Sequence, residues 1–359
     1  MQEIYWEWFC SITGLYRMQQ EVLLHFFCTP EGVYRASEKE LLHLREKGFS
    51  AAGKVQSFRE KNPPEKTVYE NRKKGIYFLS HGHEAYPMRL RRIEDGPYGL
   101  FYRGNLPNEE KKSVAIVGAR MCTHMGKEIA QKIAMEVAHA GGSIVSGAAY
   151  GIDGAAQWAA IEAGGKSFAV LGCGVDICYP ASHRQLLERL GVSGGVISEF
   201  PPGTRPLRHH FPIRNRIISA LSDVVAVIEA RKRSGSLITA EFAASQGRSV
   251  YAVPGRPWDE LSEGCNELIS QGAAPILSVD SFISLNFPDY KKKKLKLSED
   301  FTLAPAEKLV YSSLGLQSKT LWELEECTVL SVAELSGALF SLEEKGLIRE
   351  TQRGCYMRT

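Results

Sequence analysis

Between Ser113 and about Phe287 the sequence alternates short apolar runs with amphipathic stretches, and few folds accept that rhythm. The apolar runs fall at 114–117, 143–145, 168–171, 196–198, 224–228, 250–253 and 275–277. Helical stretches separate them, as at 128–139, which closes on Gly141-Gly142 where glycine supplies a left-handed cap. Strand and helix in alternation build βαβ units. The spacing therefore predicts an α/β protein with a doubly wound, mostly parallel sheet.

The flanks have a different texture. Residues 12–58 read as short helices, with apolar positions at Leu23, Leu24, Phe27, Leu41, Leu42 and Leu44 and a break at Pro30-Glu31-Gly32. Residues 61–66, with Pro63-Pro64 at their centre, read as a linker. Such helices form either a phosphate-gripping helix-hairpin-helix or a small packing domain. Glu38, Glu40 and Glu46 dilute the positive charge and favour packing. After Lys291-Lys292-Lys293-Lys294, helices are expected at 306–314, 320–326 and 331–345, then a hairpin of 347–349 and 354–357. Three helices and a two-stranded wing suggest a winged helix. Acids such as Glu323, Glu325, Glu326, Glu343, Glu344 and Glu350 outnumber bases there, which favours a protein-contacting or regulatory wing over a DNA reader. The expected organisation is a helical domain at 1–66, the sheet domain at 67–288, a basic linker at 289–302 and the winged helix at 303–359.

Composition removes several function classes. Hydrophobic residues at 44% and charged residues at 24% are ordinary for a globular protein with a core, and argue against a disordered tail protein or a fibrous repeat. No apolar run approaches the ~20 residues that span a bilayer, and an acidic start, Met1-Gln2-Glu3, is unlike a signal peptide. A cytoplasmic location is expected. The eight cysteines form no CxxC pair, so neither a zinc site nor a disulfide framework is expected. A net charge of +3 demands no partner, so a nucleic-acid argument must rest on where the charges lie.

In an open α/β sheet, ligands bind beyond the carboxyl ends of the strands. Those ends read Gly118-Ala119-Arg120, Ser146-Gly147-Ala148, Gly172-Cys173-Gly174, Glu199-Phe200-Pro201-Pro202-Gly203 and Arg231-Lys232-Arg233-Ser234-Gly235-Ser236. Small residues let a phosphate approach backbone N–H groups at the next helix start. One such turn is weak evidence; five in one sheet are not. A dinucleotide cofactor fits poorly, because GxGxxG is absent after Val117 and Ser146-Gly147 replaces the ribose-binding acid.

The stretch Arg205-Pro206-Leu207-Arg208-His209-His210-Phe211-Pro212-Ile213-Arg214-Asn215-Arg216 is the strongest charge signal, and no acid occurs between Phe200 and Asp223. A solvated loop would also look basic, but Phe211 is embedded among the cations and Ile217-Ile218 open a buried helix. Cations for the backbone and an aromatic platform for a base are what single-stranded nucleic acid needs. Arg120, Arg184 and Arg233 from neighbouring strand ends extend the cationic rim, and a mononucleotide is the other ligand such a rim accepts.

Nucleophilic and metal chemistry find little support. Ser146 is not in a GxSxG elbow, and adjacent His209 and His210 offer no metal-binding spacing. Asp153 sits at a helix start, where capping is its expected work, and Glu199 and Glu229 at strand ends read either as catalytic carboxylates or as structural partners of the arginines. No catalytic residue, metal or cofactor is assigned.

Several ordered motifs together resemble the DprA/Smf DNA-processing family. They are Val117-Gly118-Ala119-Arg120, Ser146-Gly147-Ala148-Ala149-Tyr150-Gly151-Ile152-Asp153, Ser198-Glu199-Phe200-Pro201-Pro202-Gly203, Phe211-Pro212-Ile213-Arg214-Asn215-Arg216-Ile217-Ile218, Arg233-Ser234-Gly235-Ser236-Leu237-Ile238-Thr239-Ala240 and Ala252-Val253-Pro254-Gly255. The stretch from Tyr77 to Leu106 resembles the family's approach to its first core strand, and the flanks resemble its terminal domains more loosely. Gln157 stands where the family commonly has histidine, and His183 where asparagine is common.

The resemblance implies an extended Rossmann fold in a dimeric, cytosolic protein. It further implies binding of single-stranded DNA and help in loading the RecA recombinase, best known from natural transformation. By the same resemblance Arg120, Arg208 and Phe211 line the DNA pocket and Ser234-Gly235-Ser236 approach phosphate. Arg120, Arg208, Arg214 and Arg216 are expected to hold phosphates, Phe211 to stack on a base, and Asn215 to belong to the same run. Leu268, Ile269 and Ile276 are the expected apolar dimer edge. The alternative is a nucleotide-cleaving enzyme resembling phosphoribohydrolases, with Glu241 as its glutamate, although their Gly-Gly-x-Gly-Thr turn is missing.

Overall fold

Val114, Ala115, Ile116 and Val117 are buried on both faces of one strand, and the Val224–Val227 strand is buried throughout in the same way. Continuous apolar runs of this kind belong inside a parallel sheet covered on both sides. The computed structural model describes residues 2–290, 303–315, 318–352 and 354–358, divided into two units, Met1–Lys291 and Lys292–Thr359.

In the larger unit the sheet has nine strands among the described residues. They are β1 (Tyr77–Ser80), β2 (Gly99–Gly104), β3 (Ser113–Val117), β4 (Ser143–Ser146), β5 (Lys166–Val170), β6 (Gly195–Ser198), β7 (Val224–Val227), β8 (Ser249–Ala252) and β9 (Ala274–Pro275). Their order is β1-β2-β6-β5-β4-β3-β7-β8-β9. The strands from β6 to β9 run parallel, while β1 and β2 are antiparallel at one edge. Strand order reverses at β3, with β4 to one side and β7 to the other. A Rossmann-like sheet opens its ligand crevice at that switch point.

The parallel strands begin and end within two residues of the sequence expectation. The run at 275–277 is only a two-residue strand, Ala274–Pro275, because proline brings no N–H to the ladder. Strands β1 and β2 lie outside the alternation, and Gly99, Arg103 and Gly104 blur their pattern. The expected linker at 61–66 is also corrected. Pro64 opens the helix Pro64–Lys73, where its missing N–H costs nothing, so only Asn62 and Pro63 separate two helices.

Six helices precede β1, from Gln2–Cys10 to Pro64–Lys73. They share one core with the sheet. Trp8, Phe9 and Ile12 pack in the same cluster as Phe78, Phe101 and Leu171. Glu7 is buried beneath these helices, accepting from Asn71 Nδ2 at 2.8 Å and Arg72 Nη2 at 3.2 Å. The described helices include none long and apolar enough to cross a membrane.

Of the expected dimer edge, Ile276 is corrected here. Ile276 is 6% exposed, donates its N–H to Ala252 O at 2.8 Å and belongs to the cluster around Phe282. Leu268 and Ile269 are half-buried against the core beneath β7 and β8. Ile276 thus stabilises the protomer itself, while Leu268 and Ile269 keep part of their surface exposed. The exposed apolar residues nearby are Leu277 and Leu285.

The smaller unit has helices Pro305–Ser313, Leu321–Thr328 and Val332–Glu344 and an antiparallel sheet of β10 (Lys319–Thr320), β11 (Ile348–Gln352) and β12 (Cys355–Arg358), in the order β10-β12-β11. Its core includes Val310, Leu324, Leu335, Leu339, Leu342 and Ile348. Several of its acids have local structural work: Glu323 and Glu334 complete capping boxes with Thr320 and Ser331. Lys291 to Lys294, and most of the expected linker, lie outside the described residues.

Glu307 joins two helices of this unit. Its carboxylate accepts from Lys345 Nζ at 2.6 Å and from Ser341 Oγ at 2.5 Å, and these bonds hold its pKa down at about 2 against an ordinary 4.5. A depressed carboxyl stabilises the fold above its unfolded value, and that contribution disappears as pH falls through the folded one. Melting of the full chain between pH 5 and pH 2 should show this unit losing stability, and Glu307→Gln should flatten that slope while lowering its melting temperature at pH 7.

Candidate nucleic-acid interface

The helix His210–Ala220 crosses the carboxyl ends of the strands, and its side chains divide by helical period. Phe211, Arg214, Asn215 and Ile218 face a cavity of about 570 Å³ beyond β3 and β7. Gly118 and Arg120 from the turn after β3 line the same cavity, as do Tyr179, Arg208 and the Ser234-Gly235-Ser236 turn. The spacing 211, 214, 215, 218 puts one face of a helix on one site.

Arg214 is the internal strut of this site. It is 5% exposed, donates from Nη1 to Gly147 O at 2.8 Å and to Val170 O, and from Nε to Asn215 Oδ1 at 2.9 Å. Asp153 Oδ2 accepts the Gly147 N–H at 3.0 Å, so one glycine is gripped from both sides. A Cβ at Gly147 would lie 2.1 Å from the guanidinium, which explains why no larger residue fits. Burial pushes Arg214 down to about 10, countered by Asp153; burial likewise raises the Asp153 carboxyl, countered by Arg214. At neutral pH the guanidinium keeps its charge. Asp153 is thus the counter-charge of the pocket, whereas the expected helix cap is supplied by Gly151 at φ +75°.

Around this strut the recognition groups stand more openly. Arg120 is exposed and its guanidinium lies 5.4 Å from the Phe211 ring centroid, within cation–π range. Tyr179 tilts against the other rings, 5.4 Å from Phe211 between centroids. Arg208 is exposed at the mouth. Ser234 caps the helix Gly235–Ser245, accepting from Ser236 N, and the amino terminus of that helix points a partial positive charge at the cavity. Arg120, Phe211, Tyr179 and a helix amino terminus together offer a flat platform with cations beside it.

Other expected residues stand elsewhere. Arg216 is corrected: it is buried on the opposite face of its helix, paired with Glu199 and, at 3.3 Å, with Asp95. Residues two apart on a helix point about 200° from one another, so 214 and 216 were never able to serve one site. Ser146 is buried and donates to Ile116 O at 2.6 Å, a sheet contact. Ala119 is buried with its N–H on Glu229 O. Gly172 abuts Phe211, whose ring would have to give slightly for an added Cβ at 3.0 Å, and Gly174 packs against Asp176 and Pro201 outside the cavity. Arg184 and Arg233 are exposed and do not line it. Glu229 caps the helix His124–His139 through Thr123 instead of meeting an arginine. Tyr179 was missed, since nothing in its local sequence sets it apart from any exposed tyrosine.

The family model for DNA recombination-mediator protein A matches residues 77–286. The chain belongs to the DprA/Smf family. Protein Smf of Synechocystis is 31% identical over 87% of this chain and 87% of its own length. The crystal structure of DNA processing protein A from Streptococcus pneumoniae covers 79% of this chain and 98% of its own, with 36% identity and a TM-score of 0.66. A DNA processing protein A structure from Helicobacter pylori, described for its single-stranded DNA binding mode, covers 60% of this chain and 97% of its own at 30% identity and a TM-score of 0.54.

In this DprA/Smf chain the two departures noted in the sequence have local roles. Gln157 is fully buried and donates to Phe168 O at 3.0 Å. His183 Nδ1 lies 3.1 Å from Ala148 O and steadies a residue held at φ +48°. Removing the Asp153 counter-charge should be costly, because a buried guanidinium is then left unpaired. Asp153→Ala is expected to destabilise the fold by roughly 3–5 kcal/mol, read by urea denaturation, with Asp153→Asn less severe.

Proposed function

We propose that this DprA/Smf chain binds single-stranded DNA at the carboxyl ends of β3 and β7 and helps load RecA onto it, in the cytoplasm. The observation that carries the reading is the exposed Arg120 over the Phe211 ring beside the Ser234 helix terminus. Arg120, Arg208 and the amino terminus of the helix Gly235–Ser245 take phosphates, Phe211 stacks a base, and Arg214 adds a buried positive charge without touching the strand. Arg184 and Arg233 continue the cationic surface outside the cavity. The Helicobacter relative's single-stranded DNA binding mode supports the ligand. The amino-terminal helices act as a small packing domain, and the last unit, three helices and a three-stranded sheet, is a winged helix used for protein contact.

The nucleotide-cleaving alternative is disfavoured by one observation. Glu241, which would be its catalytic carboxylate, is exposed on the helix Gly235–Ser245 and does not line the cavity.

Fluorescence anisotropy of labelled oligo-dT, with duplex as competitor, tests the reading. Arg120→Ala should weaken binding at least tenfold. Phe211→Ala should remove a stacking contact of ~1–3 kcal/mol. The salt dependence should have a slope near ~0.7 per phosphate contacted. Equal affinity for duplex, or indifference to Arg120, would sink it.

Dimerisation is part of the same proposal, through the sheet edge at β9, where Leu277 is 78% and Leu285 70% exposed. Light scattering should give twice the protomer mass, and Leu277→Glu should return it to one.

A further inference from the structure

A second cavity, of about 650 Å³, lies on the other side of the helix His210–Ala220, against the turn between the helices Gln2–Cys10 and Arg17–Phe27. Aromatic rings stand in its walls, those of Tyr16, Tyr98, Phe200, His209 and His210. Phe200 and His210 stack with centroids 4.0 Å apart and planes at 21°, and Tyr16 meets His210 edge-on at 6.1 Å. Tyr16, Met18 and Leu207 stand at its mouth, 41%, 79% and 43% exposed. Large apolar side chains left in water around a concave site are a recognition feature.

The polar groups are few and placed deep. Arg216, 4% exposed, pairs with Glu199 through one edge of each group, yet Arg216 Nη1 and Glu199 Oε1 are buried without a partner. Such orphans are rare in a folded protein and are commonly completed by a ligand or water. Arg205 is exposed at the rim and makes no ion pair among the described residues.

We propose that this cavity is a second binding site, for a nucleotide, with the base beside Phe200 and Tyr16 and the phosphate at Arg205. Three features select that chemistry. Flat rings gain most from aromatic walls. A base edge presents donor and acceptor side by side, as the Glu199–Arg216 orphans require, whereas an aliphatic ligand leaves both unpaired. The Glu199 carboxylate repels an anion from the floor, so the phosphate stays at the mouth. Both orphan atoms are shielded from solvent here, so the base edge meets them through a side-chain rotation of the pair. The base belongs either to a free nucleotide or to a strand passing over Arg205 and Arg208. This site is separate from the Arg120 cavity and does not rest on it.

Equilibrium dialysis of the full chain against each deoxynucleoside monophosphate, and against deoxyribose 5-phosphate, tests the proposal. Saturable nucleotide binding is expected, weakened about fivefold or more by Tyr16→Ala. Arg205→Ala should weaken it too, while Tyr16→Phe should retain it. Oligo-dT anisotropy with Tyr16→Ala then separates the sources: weakening identifies a base of the strand, and no change identifies the free nucleotide. Absence of nucleotide binding, equal binding of deoxyribose 5-phosphate, or loss in Arg120→Ala with indifference to Tyr16→Ala would overturn the proposal. Those readings stay distinct from the strand-end hypothesis, whose failure shows as oligo-dT binding unaffected by Arg120→Ala.

Discussion

A guanidinium buried under a glycine turn holds the strand ends in their working shape. Arg214 reaches from its helix to the carbonyls of Gly147 and Val170, at the ends of the neighbouring strands β4 and β5, and so ties that helix to both. A buried charge is expensive unless it is paired and hydrogen-bonded. Asp153 supplies the opposite charge, and its own bond to the Gly147 N–H makes the arrangement mutual. Phe211 and Asn215 take their positions from this helix, so the open recognition surface rests on a closed polar core.

Division of labour follows from burial. Exposed Arg120 and Arg208 are free to meet a ligand, while Arg214 and Arg216 are already committed to protein partners. One basic stretch therefore contains two kinds of arginine, and charge counting treats them alike. The same separation applies to carboxylates: Asp153 and Glu199 balance buried guanidiniums, and Glu229 secures a helix start.

Much of the sheet was legible because apolar runs buried on both faces leave a strong periodic trace, as at 114–117 and 224–227. Strands β1 and β2 were not, since a four-residue edge strand and a six-residue neighbour with glycine at both ends carry little pattern. The strand-end cavity was legible through its glycines and arginines. What the sequence concealed was direction. Arg216 carries the same chemistry as Arg214 but faces away, and Ile276 looks like an exposed edge residue until the strand beside it buries its side chain. Tyr179 comes to Phe211 from a loop distant in sequence, and no local spacing announces that meeting.

The helix His210–Ala220 serves two cavities with interleaved residues: 211, 214, 215 and 218 on one face, 210, 213 and 216 on the other. Adding or deleting a single residue inside it would turn every later side chain by about 100° and scramble both sets at once. The segment can therefore tolerate exchange of one side chain for another, but not a change in its length. Among the chain's relatives, insertions and deletions should be confined to the loops on either side of it.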